Sequence, residues 1–266
     1  MPVVLHGRRA LLAWCLCAIP VAFGFVLPLL LLARLVGMEA VYGEFGLPWA
    51  RFAQWCLNSF RLAAIAAVLA ALLALALAYV LRISAPSNPR TRALKAGATL
   101  VSLGYAVPGA VIAVGILVPL GLVQARWPEA PAAAIVTGTA TGLLLAYLVR
   151  FSAVALQTVD AGYARLPPSL DDSARMLGAS RSRLLSRVHA PLLRRSLWAA
   201  VLLVFVDVMK ELPATLVLRP FDSDTLAVVA YNLARDERLA EAALPSVAIV
   251  AVGLLPVLLL VRAMRR

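Results

Sequence analysis

Residues 57–81 read LNSFRLAAIAAVLAALLALALAYVL, an apolar run in which Arg61 is the single charged side chain. About 20 mainly apolar residues cross a hydrocarbon core, and a helix satisfies its own backbone there, so the run predicts a membrane-spanning helix. The rest of the chain repeats the theme. Of its 266 residues 63% are hydrophobic and 14% charged, with a mean hydropathy of +0.91. That composition excludes an ordinary soluble domain. Further apolar stretches at 11–33, 96–122, 132–150, 196–218 and 242–261 bring the expected spans to six. The expected fold is an all-α polytopic membrane protein with six transmembrane helices, forming one domain over residues 1–266.

The net charge of +12 and pI near 10.8 raise the question of nucleic acid. The basic residues lie between apolar stretches, without a patch interleaved with aromatics, so membrane topology explains them and nucleic acid is not expected as a partner. With both termini cytoplasmic, 17 of the 25 Lys and Arg fall in the tails and in segments 82–95 and 150–195. Inner loops hold that excess, which sets the expected orientation. The run after Arg8 and Arg9 continues to about Ala33 without a small-x-small site, so it is expected to stay as an anchor and not to be cleaved as a signal peptide. Cys15, Cys17 and Cys56 are an odd set in apolar surroundings and are expected to be packing residues. Gly138-x-x-x-Gly142 allows close helix approach within span four.

Between spans four and five lie roughly 45 residues, long for a connector in a compact bundle. Pro167-Pro168 stops the preceding segment, and Ser169 with Asp172 three residues on reads as a capping box. Leu170, Ala174 and Leu177 form an apolar stripe up to Gly178. Ser180 can cap a second helix with Leu184, Leu185 and Val188 on one face and Arg181, Arg183 and Arg187 elsewhere, until Pro191. Periodicity alone leaves two readings open: helices lying on lipid headgroups, or helices filling a groove on a cytoplasmic partner.

The same stretch, taken as Asp172-Ser173-Ala174, Gly178, Val188 and Pro191, resembles the Glu-Ala-Ala loop of binding-protein-dependent ABC importer permeases: EAA, three residues, Gly, nine residues, Ile-x-Leu-Pro. The spacing matches, with Asp172 for Glu, Ser173 for the first Ala, Val188 for Ile and Ala190 for Leu. The resemblance implies a type I importer permease whose coupling loop, at about 165–191, docks into a separate ATPase subunit. Ser169, Asp172, Ser173, Ala174, Gly178, Val188 and Pro191 would carry that docking, and ATP and Mg would sit on the ATPase. Asp172 has a simpler role open to it, as a partner of its helix dipole.

Gly104-Tyr105-Ala106-Val107-Pro108-Gly109, the stretch from Asp207 to Thr215, and Glu241-Ala242-Ala243-Leu244-Pro245 are similar to the ferric iron ABC permeases, over about 11–261. The chain resembles the second six-span half of the double-length members. This implies ferric iron, delivered by a periplasmic binding protein across the bacterial inner membrane, and a second permease half beside this one. Sulfate, molybdate, phosphonate and polyamine permeases share the coupling loop, so those cargoes stay open.

Counted from Ser196, Asp207 lies about 17 Å along its helix, near mid-membrane. Asp207, Lys210 and Glu211 are spaced to share one face and neutralise each other, and Pro213 would free backbone carbonyls. They are the candidate translocation path, where carboxylates suit a hard ferric ion; a structural ion pair is the competing reading. Segment 219–241 has helical spacing at Leu226, Val229, Ala230 and Leu233, followed by Arg235-Asp236-Glu237-Arg238; an interfacial helix with a charged end is one reading, and a solvated outer loop is the expectation. Lys95 and Lys210 are the only lysines and neither follows Gly, so no phosphate-binding Gly-Lys-Ser/Thr loop exists. His6 and His189 are far apart and His189 is expected on the loop surface, so no metal ligands, catalytic residues or cofactor are assigned to this chain. An intramembrane enzyme using Asp207 and Glu211 as acid and base is the alternative, and the intervening Lys210 argues for neutralisation instead.

Overall fold

The computed structural model describes residues 6–43, 46–84 and 88–264, and every regular element among them is helical. Helix α1 (Gly7–Val21) continues through a π turn at Ala22–Val26 into α2 (Leu27–Tyr42). The long α3 (Trp49–Ile83) follows, then α4 (Pro89–Leu103), a 3-10 turn at Gly104–Ala106, and α5 (Gly109–Arg126). Next come α6 (Ala132–Gly138), α7 (Thr141–Tyr163), the short α8 (Pro168–Met176) and α9 (Arg181–Leu184). A π turn at Leu185–His189 leads into α10 (Ala190–Met209), followed by α11 (Pro213–Leu218), α12 (Leu226–Arg235) and α13 (Leu239–Met264).

Helices α3, α7 and α10 pack on one another at the centre. The face of α3 that does so is almost all alanine: Ala63, Ala66, Ala67, Ala70, Ala74 and Ala78 are buried at helical spacing. Small side chains let helix backbones approach where lipid gives no hydrophobic drive for association. Leu143 and Val159 of α7 and Leu193, Ala200 and Val204 of α10 fill the opposite side. Around this core α2 and α12 pack on α13, while α4, α5 and α6 lean on α7.

Among the described residues five elements are long and apolar enough to cross a membrane: Gly7–Tyr42, Trp49–Ile83, Gly109–Arg126, Thr141–Tyr163 and Leu239–Leu258. The expected fifth span, 196–218, differs. Its helix α10 begins at Ala190 and carries Arg194, Arg195 and Asp207, and the chain breaks at Lys210 before α11. The expected third span is cut by the 3-10 turn and Pro108, so only α5 has spanning length. The fourth begins at Thr141 and runs on to Tyr163, which places Arg150 inside α7 and shortens the supposed 45-residue loop to two brief turns around α8. The close approach at Gly142 is to the Val136 carbonyl of α6, within this chain, while nothing lies near Gly138. Cys15 and Cys17 are exposed on α1 and Cys56 is half-buried; all three are free thiols.

The two ends of α3 organise the molecule. At its start, the Leu226 amide donates to Ser59 Oγ (2.8 Å) and Asn58 donates to the Asp224 carbonyl (3.1 Å), seating α12. Thr225 caps α12, whose Leu226, Ala227, Val228 and Val229 are buried. The expectation of a solvated loop is therefore corrected: the helical spacing was real and its apolar face is covered by α13 and α3. At the other end of α3 sits α8.

Candidate coupling and translocation sites

Helix α8 starts differently from the capping box. Pro167 occupies the cap position without a side-chain bond, Pro168 the first turn, and Ser169 is already helical, its carbonyl accepting from Ser173 Oγ (2.9 Å). Proline suits a first turn because its missing N–H has no partner there in any case. Exposed Asp172 meets Arg175 at 3.5 Å near the helix N-terminus. Ala174 is half-buried. The helix closes in a Schellman turn, with Ala179 N–H donating to the Ala174 carbonyl (3.0 Å) and Gly178 N–H to that of Arg175 (2.9 Å). Gly178 has φ +78, a conformation that costs side-chain-bearing residues about 1–2 kcal/mol, and open space around it, so the backbone turn and not packing requires glycine.

Ser180 does cap α9, accepting from the Arg183 amide (3.4 Å). Pro191, however, does not end a helix. It lies in the first turn of α10, and residues 181–209 form one continuous helical run through the π turn. The expected stripe also divides: Leu170 and Ala174 are half-buried, whereas Leu177 is 89% exposed at the apex, beside Met176 at 88%.

Behind the apex is a buried polar centre that the sequence reading missed. His189 is 0% exposed, which corrects its expected surface position. Its Nε2 donates to Asp171 Oδ1 (2.9 Å), and Tyr163 OH lies 3.2 Å from Nδ1. A carboxylate only accepts, so the proton of the bond to Asp171 sits on Nε2. Arg82 Nε donates to the other Asp171 oxygen (2.8 Å), and its Nη atoms donate to the carbonyls of Tyr163, Leu166 and Pro167 (3.3, 3.0 and 3.2 Å). Tyr79 OH donates to the Arg181 carbonyl (2.6 Å). Burial alone would raise the Asp171 carboxyl, but the bonds from Arg82 and His189 outweigh it and hold the group below the usual carboxylate range. The π turn explains why His189 escaped notice. Buried Leu184, His189 and Leu193 are spaced five and then four residues apart, an interval that a 3.6-residue period does not connect.

The second site lies where α10 gives way to α11. Lys210 pairs with Asp207 (2.9 Å) as expected, with the Lys210 side chain 60% exposed at the helix C-terminus. Glu211 is not part of that pair. It is buried, and its carboxylate accepts from the amides of Ala214 and Thr215 (both 3.2 Å) and from Thr215 Oγ1 (3.1 Å), closing the N-terminus of α11. Pro213 thus opens a helix here. Because Thr215 gives its one proton to Glu211, Tyr147 is the donor in their 2.7 Å contact. Arg150 approaches Glu211 at 3.6 Å, its side chain 24% exposed, while its buried Nε and Nη1 make no hydrogen bond among the described residues. Any Cβ on Gly109 would collide with Glu211, and one on Gly104 with the Val149 carbonyl, so both glycines of the 104–109 motif exist for close packing on this site. The two carboxylates answer to different cations, which removes the shared acid–base pair an enzyme would need. Among the described residues no group of three or more His, Cys, Asp or Glu could hold a metal ion.

An open cleft of about 1030 Å³ lies at the α12 end, lined by Glu39, Trp49, Arg51, Arg238 and Glu241 among others.

The sequence pattern of the binding-protein-dependent transport system inner membrane components matches residues 82–266. The chain belongs to that family. Relatives of this permease include a putative ABC transporter permease protein of Streptomyces antibioticus, 33% identical over 62% of this chain and 66% of that one. A putative 2-aminoethylphosphonate transport system permease protein, PhnV, of Salmonella typhimurium is 30% identical over 62% of this chain and 58% of its own length. The ferric transport system permease protein FbpB of Actinobacillus pleuropneumoniae is 28% identical over 68% of this chain but only 24% of its own. The matched part of the permease thus spans about three-fifths of the length of the first two relatives. Sequence similarity is narrower than the expected 11–261, whereas the fold is shared more widely. The crystal structure of a bacterial alginate ABC transporter in complex with an alginate pentasaccharide-bound periplasmic protein matches with a TM-score of 0.71 at 15% identity, over 95% of this permease and 93% of that chain. The all-helical type I permease architecture is therefore shared.

Proposed function

We propose that this permease is the membrane subunit of an ATP-driven importer, moving cargo delivered by a periplasmic binding protein inward across the inner membrane. Residues 1–266 act as one permease domain, a separate ATPase binds ATP and Mg, and a second permease half completes the path. The observation that carries this reading is the α8–α9 hairpin: a Schellman-closed elbow with Met176 and Leu177 bare at its apex and a hydrogen-bonded base. An apolar tip on a rigid mount suits a groove on a partner, which favours ATPase docking over lying on lipid. Segments 82–95 and 165–195, at that end, hold eleven basic residues, which supports a cytoplasmic α8 end and cytoplasmic termini. The cleft at the α12 end then faces the binding protein.

For the cargo, the ferric iron expectation came from the resemblance of the 104–109 and 207–215 motifs, and the carboxylates that would suit such an ion, Asp207 and Glu211, are both engaged, one by Lys210 and the other by the α11 amides. Nε and Nη1 of Arg150 have no hydrogen-bond partner among the described residues, although Nη1 lies 3.6 Å from Glu211. Guanidinium matches oxyanions, so we favour a small phosphonate-like anion, a class that PhnV is named for, over ferric iron. Reconstitution into proteoliposomes with the ATPase, the second half and the binding protein tests this. ATP-dependent accumulation of 2-aminoethylphosphonate is expected; accumulation of ferric citrate alone would restore the iron reading, and ATP-independent uptake would overturn the importer.

A further inference from the structure

We propose that Asp171, held between Arg82 and His189, is the joint through which movement of the α8–α9 elbow reaches the membrane helices. The idea rests on the importer reading and adds the residues that transmit the stroke.

The first observation concerns how α8 is held. Asp171 is its one buried side chain, and Met176 and Leu177 point away from the bundle. Half-buried Leu170 and Ala174, the latter against the core, give α8 only a thin apolar seat, so its one fully buried hold on the rest of the chain is this carboxylate. The second observation is where the carboxylate is tied. Arg82 lies on the last turn of α3 and His189 belongs to the π turn that leads into α10, while Tyr163, the last residue of α7, reaches the carboxylate through its bond to His189. These are the three helices that form the core. Arg82 also clamps the turn between α7 and α8 through three carbonyls, and Tyr79 fixes the start of α9 through the Arg181 carbonyl.

The third point is energetic. A buried ion pair gains little over well-packed apolar residues, since desolvation offsets the attraction, but it admits one geometry. Apolar contacts at this joint would let the elbow slip under load, whereas two directed bonds to one carboxylate, with Tyr163 bonded to His189 behind them, turn it together with α3, α7 and α10. Asp172, the residue at the Glu position of the motif, is exposed and bonds only within its own helix, so it cannot transmit force in this way.

The test uses the complete transporter in proteoliposomes and whichever cargo the wild type accumulates, 2-aminoethylphosphonate or ferric citrate. ATP hydrolysis and uptake are measured together. Asp171→Asn keeps the shape but weakens both bonds, and is expected to retain hydrolysis while uptake per ATP falls about tenfold, within the usual range of coupling energies. His189→Leu should behave likewise, and His189→Gln, which keeps a donor toward Asp171, should recover most of the loss. Ser59→Ala at the opposite end of α3 controls for general weakening and should leave uptake per ATP unchanged. Wild-type uptake per ATP in Asp171→Asn would overturn the proposal. If that variant fails to assemble, equal uptake per ATP in His189→Leu and wild type overturns it instead. Failure of the wild-type chain to assemble with any ATPase would be a failure of the importer reading, seen before any variant is made.

Discussion

The two ends of α3 solve the same problem with different chemistry. Each seats a short helix that closes in a Schellman turn, α12 at the start and α8 at the finish. At the α12 end the seat is neutral: Ser59, Thr225 and Asn58 supply the hydrogen bonds and Leu226 to Val229 supply buried apolar surface. Its charges, such as the Arg238–Glu241 pair, stay on the outside. At the α8 end charges lie inside and apolar side chains lie outside, as Asp171 and Arg82 face the bundle with His189 bonded beside them, while Met176 and Leu177 face away. A seat made of burial needs only to be stable. One made of directed charges, beneath a bare apolar tip, gives a fixed angle, which is what a moving part requires.

Breaking the charged seat should have the largest effect. Arg82→Ala leaves Asp171 buried without its main cation and is expected to cost about 3–5 kcal/mol in denaturant unfolding of the detergent-solubilised protein. Ser59→Ala in the neutral seat leaves the buried Leu226 amide unpaired, and the same measurement should show about 1–3 kcal/mol. The turns sharpen the contrast further. Gly178→Ala places a side chain at φ +78 and should cost about 1–2 kcal/mol, whereas Glu237, already at φ +62, should yield about 1 kcal/mol of added stability as Glu237→Gly. The smallest effect is a pH signature. The Asp171 carboxyl faces Arg82 from α3, His189 from the π turn and Tyr163 from α7, and is held below the usual carboxylate range. Its stabilisation is therefore present above the unfolded value of about 3.9 and is lost as pH falls through the lower folded value. The stability difference between wild type and Asp171→Asn should stay level from pH 8 to about 5 and shrink below about 4, while that of Ser59→Ala should not follow the Asp171 titration.

Composition and charge distribution disclosed the membrane fold because they sum over many residues. The hairpin around Gly178 was legible because glycine at a helix end and Ser180 at a helix start act locally. What escaped was set by distant partners. Arg82 finds Asp171 across 89 residues, and adjacent Asp171 and Asp172 look alike in sequence although one is buried and the other exposed. Glu211 was grouped with Asp207 and Lys210 by spacing, but the helix ends at Met209, so the periodicity that joined them does not exist there. His189 was lost to a π turn for the same reason. Regular periodicity located the helices and failed where they break, and those breaks hold both candidate sites.

The central claim is that the α8–α9 elbow meets an ATPase. Photocrosslinking from p-benzoylphenylalanine placed at Leu177, in native membranes containing the whole transporter, tests it most directly. A covalent adduct with the nucleotide-binding subunit, its yield changing when ATP is trapped, is the expected result. Adducts with phospholipid alone, with or without nucleotide, would contradict it.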